Sequence, residues 1–328
     1  MKTSINAWSV EGSLGFEEMF SKIKAAGFDG IELNLDAPGG AHALSLETTD
    51  EQLAEIRALS EKYALPVVSI SSSQHGGMWG YNDPAVREKA KNVLRHQIHF
   101  AKALGATGVL MVPGGMCEGR SLLRSWNNSI AAMREMKKEV AGCGIKIGIE
   151  NVWNGFFTSP FDMTRFLDEL SCPEYAVYFD AGNMHAFSTT EYWVEILAGR
   201  IDKVHVKGYR RNNGSINQGG VWCDITKDDI HWNKAIPLLK EGGFNGYLTA
   251  EVGKTDPAQS WDDYYKMVHD QVAALCAMSI LPAFAEHEWT KVDNSTIEND
   301  LWTLNASWNN NGTLTLSGAT PKDGSLTT

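Results

Sequence analysis

The chain has 328 residues, of which 43% are hydrophobic and 21% are charged. Both fractions are close to the averages for globular domains, which excludes a wholly disordered chain or a single long coiled coil. The formal net charge is −11. Because a surface that binds nucleic acid usually carries positive charge, we expect no nucleic-acid partner.

The sequence predicts neither a targeting segment nor a membrane span. The N-terminal residues lack the apolar run of about 7–15 residues that a signal peptide needs. The sequence has no run of about 18 apolar residues, so we expect no membrane span. The cysteines have neither the CxxC spacing of many zinc sites nor the density of a disulfide scaffold; they are Cys117, Cys143, Cys172, Cys223 and Cys276. We therefore expect a protein of the reducing cytoplasm.

Short apolar segments alternate with longer amphipathic segments from residue 3 to about residue 280. The short segments predict eight strands, at Thr3–Trp8, Gly30–Asn34, Pro66–Ser71, Gly108–Val112, Lys146–Glu150, Tyr175–Asp180, Lys203–Lys207 and Tyr247–Val252. The longer segments predict helices at Phe16–Ala26, Asp50–Tyr63, Pro84–Leu104, Leu122–Ala141, Pro160–Leu170, Thr190–Leu197, Trp232–Glu241 and Trp261–Met278. Several of these helices end at a glycine, which adopts the left-handed capping conformation without a Cβ clash.

Eight strand–helix units without a dividing linker predict an α/β fold, a closed parallel (β/α)8 TIM barrel over residues 1–282. A doubly wound open sheet is the alternative, but such a sheet rarely contains eight regular units. Residues 283–328 differ in composition, being rich in Asn, Thr, Ser and Gly. We interpret them as a C-terminal extension, with a short strand over residues 312–318.

The last four predicted strands each carry one carboxylate or histidine near the C-terminal end: Glu150, Asp180, His205 and Glu251. Side chains at these strand ends point into the mouth of a barrel, so the four should converge. Three carboxylates in one mouth would repel one another unless a cation lay among them. The set predicts a divalent metal site. Its oxygen-rich, single-histidine donors favour Mn²⁺, Mg²⁺ or Co²⁺ over a thiolate-bound Zn²⁺.

The segments around these residues carry a family resemblance. They are Gly148-Ile149-Glu150-Asn151, Phe179-Asp180-Ala181-Gly182-Asn183, His205-Val206-Lys207, Trp232–Gly246 and Thr249-Ala250-Glu251. In order and spacing they resemble the xylose isomerase-like superfamily of sugar and sugar phosphate isomerases and epimerases, and within it the ketose 3-epimerases. The resemblance covers about residues 1–280. It implies that Glu150, Asp180, His205 and Glu251 hold one divalent metal ion, with Mn²⁺ as the first expectation.

The chemistry of such an enzyme indicates how two of these residues would act. Moving a proton on the carbon next to a ketone needs a base, stabilisation of the enediolate oxygen and, for epimerisation, an acid on the opposite face. A metal ion supplies the oxygen stabilisation. We expect Glu150 and Glu251 to exchange the proton as an acid/base pair.

Further residues are candidates for contact with a small sugar substrate. Arg211 stands six residues after His205, where the resemblance implies an arginine that contacts substrate oxygen. The resembling epimerases often have a histidine three residues after the strand-six aspartate, whereas this chain has Asn183 there and His185 two residues later. Either side chain could bond a substrate hydroxyl, and the change leaves the particular sugar open.

The first half of the barrel offers three more candidate substrate contacts. Glu32 lies in the second predicted strand, within Gly30-Ile31-Glu32-Leu33, where its carboxylate could touch substrate or orient a neighbour. His75 lies in the glycine-rich loop after the third strand. Trp8 could form part of an apolar wall for the sugar.

Other functions on the same fold stay open. A dehydratase of a cyclic polyol ketone would use the same metal site, and a non-catalytic sugar-binding barrel would use a similar mouth. An apurinic-site endonuclease of the superfamily needs more histidines and a basic groove, which the net charge disfavours. A phosphate on the sugar could meet Lys207, Arg210, Arg211 or Lys254. The resemblance also implies a possible homo-oligomer.

Overall fold

The structure is a computed structural model that describes residues 1–116 and 121–278, together with four strands nearer the C-terminus. These strands are Thr290–Lys291, Thr296–Glu298, Trp302–Trp308 and Leu314–Pro321. The chain divides into two compact units, Met1–Leu281 and Pro282–Thr328.

Eight parallel strands close into a barrel in the first unit, as the sequence predicts. In chain order they are β1 (Lys2–Asn6), β2 (Gly30–Leu35), β3 (Val67–Ser72), β4 (Gly108–Met111), β5 (Lys146–Glu150), β6 (Tyr175–Asp180), β7 (Ile201–Val206) and, after a hairpin described below, β10 (Tyr247–Ala250). Strand β1 pairs with β2 on one side and with β10 on the other, which closes the ring. The (β/α)8 prediction is confirmed.

Ten α-helices are found among the described residues. They are α1 (Phe16–Ala26), α2 (Asp50–Lys62), α3 (Pro84–Leu104), α4 (Leu122–Glu135), α5 (Lys137–Val140), α6 (Pro160–Leu170), α7 (Ala181–His185), α8 (Thr190–Leu197), α9 (Trp232–Glu241) and α10 (Trp261–Ala277). The main apolar core lies between the strands and the buried faces of these helices. Among the helices of the described part, none is both long enough and apolar enough to cross a lipid bilayer.

Local capping chemistry explains most of the helix boundaries. Helix α2 begins at a capping box in which Thr49 and Gln52 exchange side-chain and backbone hydrogen bonds. Helices α1 and α3 end at Gly27 and Gly105, with φ of 109° and 76°, the left-handed conformation that favours glycine. The predicted helix Leu122–Ala141 is wrong in one respect, because it breaks at Met136 into α4 and α5.

The loop after β7 contains an antiparallel hairpin that the sequence does not predict. Its strands are β8 (Gly208–Arg211) and β9 (Gly220–Cys223), and they form a separate two-stranded sheet. The hairpin follows the barrel strand that carries His205, so it stands beside the mouth of the barrel. It is therefore part of the surroundings of the candidate site.

The second unit contains a four-stranded antiparallel sheet. Its strands, in spatial order, are β11 (Thr290–Lys291), β12 (Thr296–Glu298), β13 (Trp302–Trp308) and β14 (Leu314–Pro321). The pairing of β13 with β14 has an irregular register between Asn305 and Ala306. The sequence predicts only one of these strands, over residues 312–318, which begins and ends earlier than β14.

Candidate metal centre

The four strand-end residues singled out by the sequence come together at the C-terminal end of the barrel. Glu150, Asp180, His205 and Glu251 each offer one ligand atom, and these four atoms all lie within 4.8 Å of one another. Asp180 and His205 are register partners on neighbouring strands β6 and β7. Glu251 follows β10 directly, one residue beyond the strand. We call these four residues the ligand cluster.

His205 faces the three carboxylates through one ring nitrogen. Its Nδ1 atom lies 3.6 Å from Glu150 Oε1, 3.9 Å from Asp180 Oδ2 and 3.5 Å from Glu251 Oε2. This buried Nδ1 has no hydrogen-bond partner within the described part of the chain. Because buried nitrogen atoms are normally satisfied, the unpaired Nδ1 fits a metal ligand. Its neighbours are hard oxygen donors that suit a divalent cation.

Burial and mutual repulsion perturb the cluster. Burial raises the pKa of Glu150 to about 7, and the nearby negative charge of Glu251 acts in the same direction. Burial likewise raises the pKa of Asp180, although Lys207 opposes that shift. A metal ion among these groups would favour their ionised forms, because an opposite charge at short range stabilises a carboxylate.

Lys207 brings a positive charge into contact with the ligand cluster. Its Nζ lies 2.8 Å from Asp180 Oδ2 and also donates a hydrogen bond to Glu251 Oε2. The ammonium lies over the ring of Trp222 in the hairpin, 5.4 Å from the ring centroid. The sequence indicates Lys207 only as a possible phosphate contact. In the structure it partly neutralises the carboxylates of the cluster.

Two glycines permit the close packing around the cluster. A Cβ at Gly182 would lie 2.4 Å from Lys207 Cγ and 2.8 Å from the Lys207 carbonyl oxygen. A Cβ at Gly148 would lie 2.8 Å from the ring of Tyr178. Both contacts are shorter than real Cβ atoms accept, so these glycines let helix α7 approach the end of β7 and let Tyr178 fill the barrel interior.

Asparagines brace the same strand ends. Asn151 Nδ2 donates to the Asp180 carbonyl oxygen at 2.9 Å, and the Asp180 backbone N–H donates to Asn151 Oδ1 at 2.9 Å. Asn183 donates its side-chain amide to the Asn151 carbonyl oxygen, and its backbone N–H donates to Asp180 Oδ1. Asn183 thus lies next to a cluster residue, with its amide held by the protein. Its substrate contact stays a prediction.

The structure buries two of the candidate substrate contacts completely, and their contact with a substrate stays a prediction. Glu32 lies inside the barrel behind His205, and its carboxylate accepts a hydrogen bond from His205 Nε2 at 2.6 Å. His75 is buried against α3, where its Nε2 pairs with Gln97 Oε1 at 3.0 Å. Burial lowers the pKa of His75 to about 4, so the ring is neutral at physiological pH.

Arg211 and His185 are in direct contact. The Arg211 guanidinium donates to the carbonyl oxygens of His185 and Ser188. His185 is buried, and its Nε2 pairs with Asp229 Oδ1 at 2.9 Å. These bonds fasten the hairpin to the segment after α7. A substrate contact by Arg211 or His185 stays a prediction that the structure does not test.

Two cavities open onto the ligand cluster. One, of about 420 Å³, is lined by Glu150 together with Trp8, Tyr81, Val112 and other residues of the loops after β3, β4 and β5. Trp8 is 44% exposed there, and its Nε1 donates to Asp36. The other cavity, of about 290 Å³, is lined by Glu251, Lys207, Trp222 and Lys254, among others. The two candidate acid/base residues therefore face different cavities.

Sequence reasoning misses the residues that surround Glu32, the hydrogen-bond partner of His205. Asn6, Ser69 and Tyr178 all contact Glu32 inside the barrel. The signal that could have indicated them is the two-residue period of a strand, since Tyr178 shares the inward face with Asp180. Polar residues at inward positions of a barrel are unusual enough to indicate a supporting network.

The fold and this site define a (β/α)8 barrel with a candidate centre for one divalent metal at its C-terminal face. The chain belongs to the xylose isomerase-like TIM barrel family, whose model matches residues 20–269.

Individual relatives are distant but cover most of the barrel. A Shigella dysenteriae protein provisionally named as the L-ribulose-5-phosphate 3-epimerase UlaE is 22% identical over 249 residues, which are 74% of this chain and 84% of that protein. A structure of D-psicose 3-epimerase in the presence of D-fructose superposes with a TM-score of 0.68 at 16% identity, covering 85% of this chain and 99% of that one. The IolI protein with a bound zinc atom gives 0.68 at 14% identity, covering 84% and 98%.

Proposed function

We propose that the protein is a divalent-metal-dependent isomerase or epimerase of a ketose or a ketose phosphate. The observation that carries this proposal is the ligand cluster, in which three carboxylates and an unpaired, buried His205 Nδ1 meet at the C-terminal end of the barrel. The distant relatives whose names include ketose 3-epimerases support the class of substrate.

The donor set supports Mn²⁺ as the ion, with Mg²⁺ and Co²⁺ as alternatives. Three carboxylates and one imidazole form a hard, oxygen-rich site. When bound, the ion would polarise the substrate carbonyl and stabilise the negative charge that develops on its oxygen.

Glu150 and Glu251 are the proposed acid/base pair. One carboxylate removes the proton from the carbon next to the carbonyl, and the other returns a proton to the opposite face. Their ligand atoms lie within 4.8 Å of each other, which supports this division because both carboxylates would adjoin a sugar bound at the cluster.

The surrounding side chains would orient the sugar. Trp8 presents an exposed ring to the cavity on the Glu150 side, where an apolar face of a sugar could pack. Lys207 and Lys254 line the cavity on the Glu251 side, so a phosphate group would lie more favourably there. Asn183 and Arg211 are further proposed contacts.

The test is proton exchange in deuterated water. The Mn²⁺-loaded protein is incubated with a panel of free ketoses and ketose phosphates, and ¹H NMR follows deuterium at the carbons next to the carbonyl. We expect exchange and formation of the epimeric or isomeric sugar with at least one substrate. Loss of water from a cyclic polyol ketone, without exchange of any ketose, would instead identify a dehydratase.

A further inference from the structure

Glu32 is a carboxylate with no bonding capacity left for a substrate. It is completely buried, and its Oε2 accepts hydrogen bonds from His205 Nε2 and Asn6 Nδ2, both at 2.6 Å. Its Oε1 accepts from Ser69 Oγ at 2.6 Å and from the Tyr178 hydroxyl. Four donors fill the four lone-pair positions of one carboxylate group. An unpaired buried carboxylate would be strongly destabilising, and these four hydrogen bonds are what allow Glu32 to be buried.

The fold places these partners by strand register. Asn6 pairs with Glu32 between β1 and β2, and Glu32 pairs with Ser69 between β2 and β3. The Tyr178 ring reaches across the barrel and lies 4.6 Å from the His205 ring, centroid to centroid. The pairing of β1, β2 and β3 therefore fixes the position of Glu32 independently of its hydrogen bond to His205.

This arrangement determines which nitrogen of His205 can bind a metal. An ionised carboxylate only accepts hydrogen bonds, so His205 Nε2 must carry the proton in the bond to Glu32. In the neutral ring, the remaining lone pair is then on Nδ1. That is the atom which lies 3.5–3.9 Å from the other three members of the ligand cluster and has no hydrogen-bond partner among the described residues.

We propose that Glu32 is a positioning residue of the metal centre: it holds His205 in the tautomer and orientation that present Nδ1 to the ion. The proposal rests on the metal centre of the proposed function, but not on the identity of the sugar. A carboxylate behind a metal-binding histidine also increases the basicity of the ligand nitrogen, and loss of such a partner typically weakens metal binding by about 10–100-fold.

The first experiment compares Mn²⁺ affinity in matched variants, measured by electron paramagnetic resonance of the free ion at constant pH. Glu32→Gln keeps the size of the side chain and removes its charge, and we expect binding about 10–100-fold weaker than in the wild type. Ser69→Ala disturbs the same buried network but leaves the bond between Glu32 and His205 in place. We expect its affinity to stay within about threefold of the wild type.

Equal weakening by both substitutions would show a general structural effect and overturn the positioning role. Unchanged affinity in Glu32→Gln would also overturn it. A wild-type protein that binds no Mn²⁺ would instead remove the metal centre on which the proposed function depends, so the two failures are distinguishable.

A second experiment needs no variant to fold. In the Zn²⁺-loaded wild-type protein, long-range ¹H–¹⁵N NMR reports which ring nitrogen of His205 carries the proton. We expect a protonated Nε2 that is protected from exchange and a metal-bound Nδ1. A proton on Nδ1, with the metal on Nε2, would contradict the proposal.

Discussion

Lys207 provides the sharpest test of how the ligand cluster is neutralised. Its ammonium touches Asp180 and Glu251 and is only 14% exposed, so the substitution Lys207→Met leaves two carboxylates without their nearest cation. Methionine keeps an apolar stem against Trp222. Removing one partner of a buried ion pair costs about 3–5 kcal/mol, and the partial exposure here favours the lower end.

We therefore expect Lys207→Met to lower the stability of the metal-free protein by about 3 kcal/mol. For a domain of this size that corresponds to a decrease in Tm of roughly 6–10 °C, measured by calorimetry in the presence of a chelator. Saturating Mn²⁺ should raise the Tm of the variant more than that of the wild type, because the ion would neutralise the carboxylates that the substitution leaves unpaired.

The matched control is Lys22→Met. Lys22 Nζ also lies 2.8 Å from a carboxylate, that of Asp262, but this pair is on the surface, where water screens the charges. We expect a Tm close to that of the wild type. If Lys207→Met were equally harmless without metal, or if Mn²⁺ stabilised variant and wild type to the same extent, Lys207 would not be the compensating cation of the cluster.

Three further predictions follow from the described contacts. Glu251→Gln should leave the far-ultraviolet circular dichroism unchanged and lower the rate of deuterium exchange by about 10²–10⁴-fold, since an amide cannot transfer the proton. A fully active variant would remove Glu251 from the mechanism. Mn²⁺ affinity should rise from pH 5 to pH 8, because binding requires the ionised form of Glu150, whose pKa is about 7 in the metal-free site. Calorimetry in buffers of different ionisation enthalpy should detect the released proton. An affinity that does not change with pH would contradict this. Burial lowers the pKa of His75 to about 4, so this residue contributes stability that is present above pH 6.5 and is lost as the pH falls towards 4. In urea denaturation the wild type should lose up to about 3 kcal/mol over that range relative to His75→Gln, which keeps a donor for Gln97. Parallel pH profiles of the two proteins would refute this.

The sequence predicts the barrel and the ligand cluster for the same physical reason. A parallel strand leaves its last inward side chain at the mouth, so Asp180 and Glu251 can be recognised without coordinates. Strand register then determines the distances: Asp180 and His205 are direct partners on adjacent strands. Alternation along the chain thus carries enough information to find residues that the fold brings together from four strands.

Depth inside the barrel is what the sequence does not reveal. Glu32 is the third residue of β2, so it points into the interior and pairs with His205, whereas Glu150 is the last residue of β5 and lines a cavity. The donors that surround Glu32 come from β1, β3, β6 and β7, a combination that only the closed barrel brings together.

Loops limit sequence-based prediction in a different way. The hairpin of β8 and β9 has no strong periodic pattern, and its contacts join segments that are distant in sequence. Arg211 bonds the His185 carbonyl oxygen across 26 positions, which no local pattern indicates. The surroundings of the mouth therefore become visible only in the structure.

The central claim is that one divalent ion, held by the ligand cluster, makes this barrel active on ketoses. The most direct measurement titrates Mn²⁺ into the metal-free protein and records the rate of deuterium incorporation into a ketose substrate at each ratio of ion to chain. We predict a rate that increases linearly up to one ion per chain and then stays constant. Equal exchange without metal, or no exchange of any ketose or ketose phosphate at one bound ion per chain, would contradict the claim.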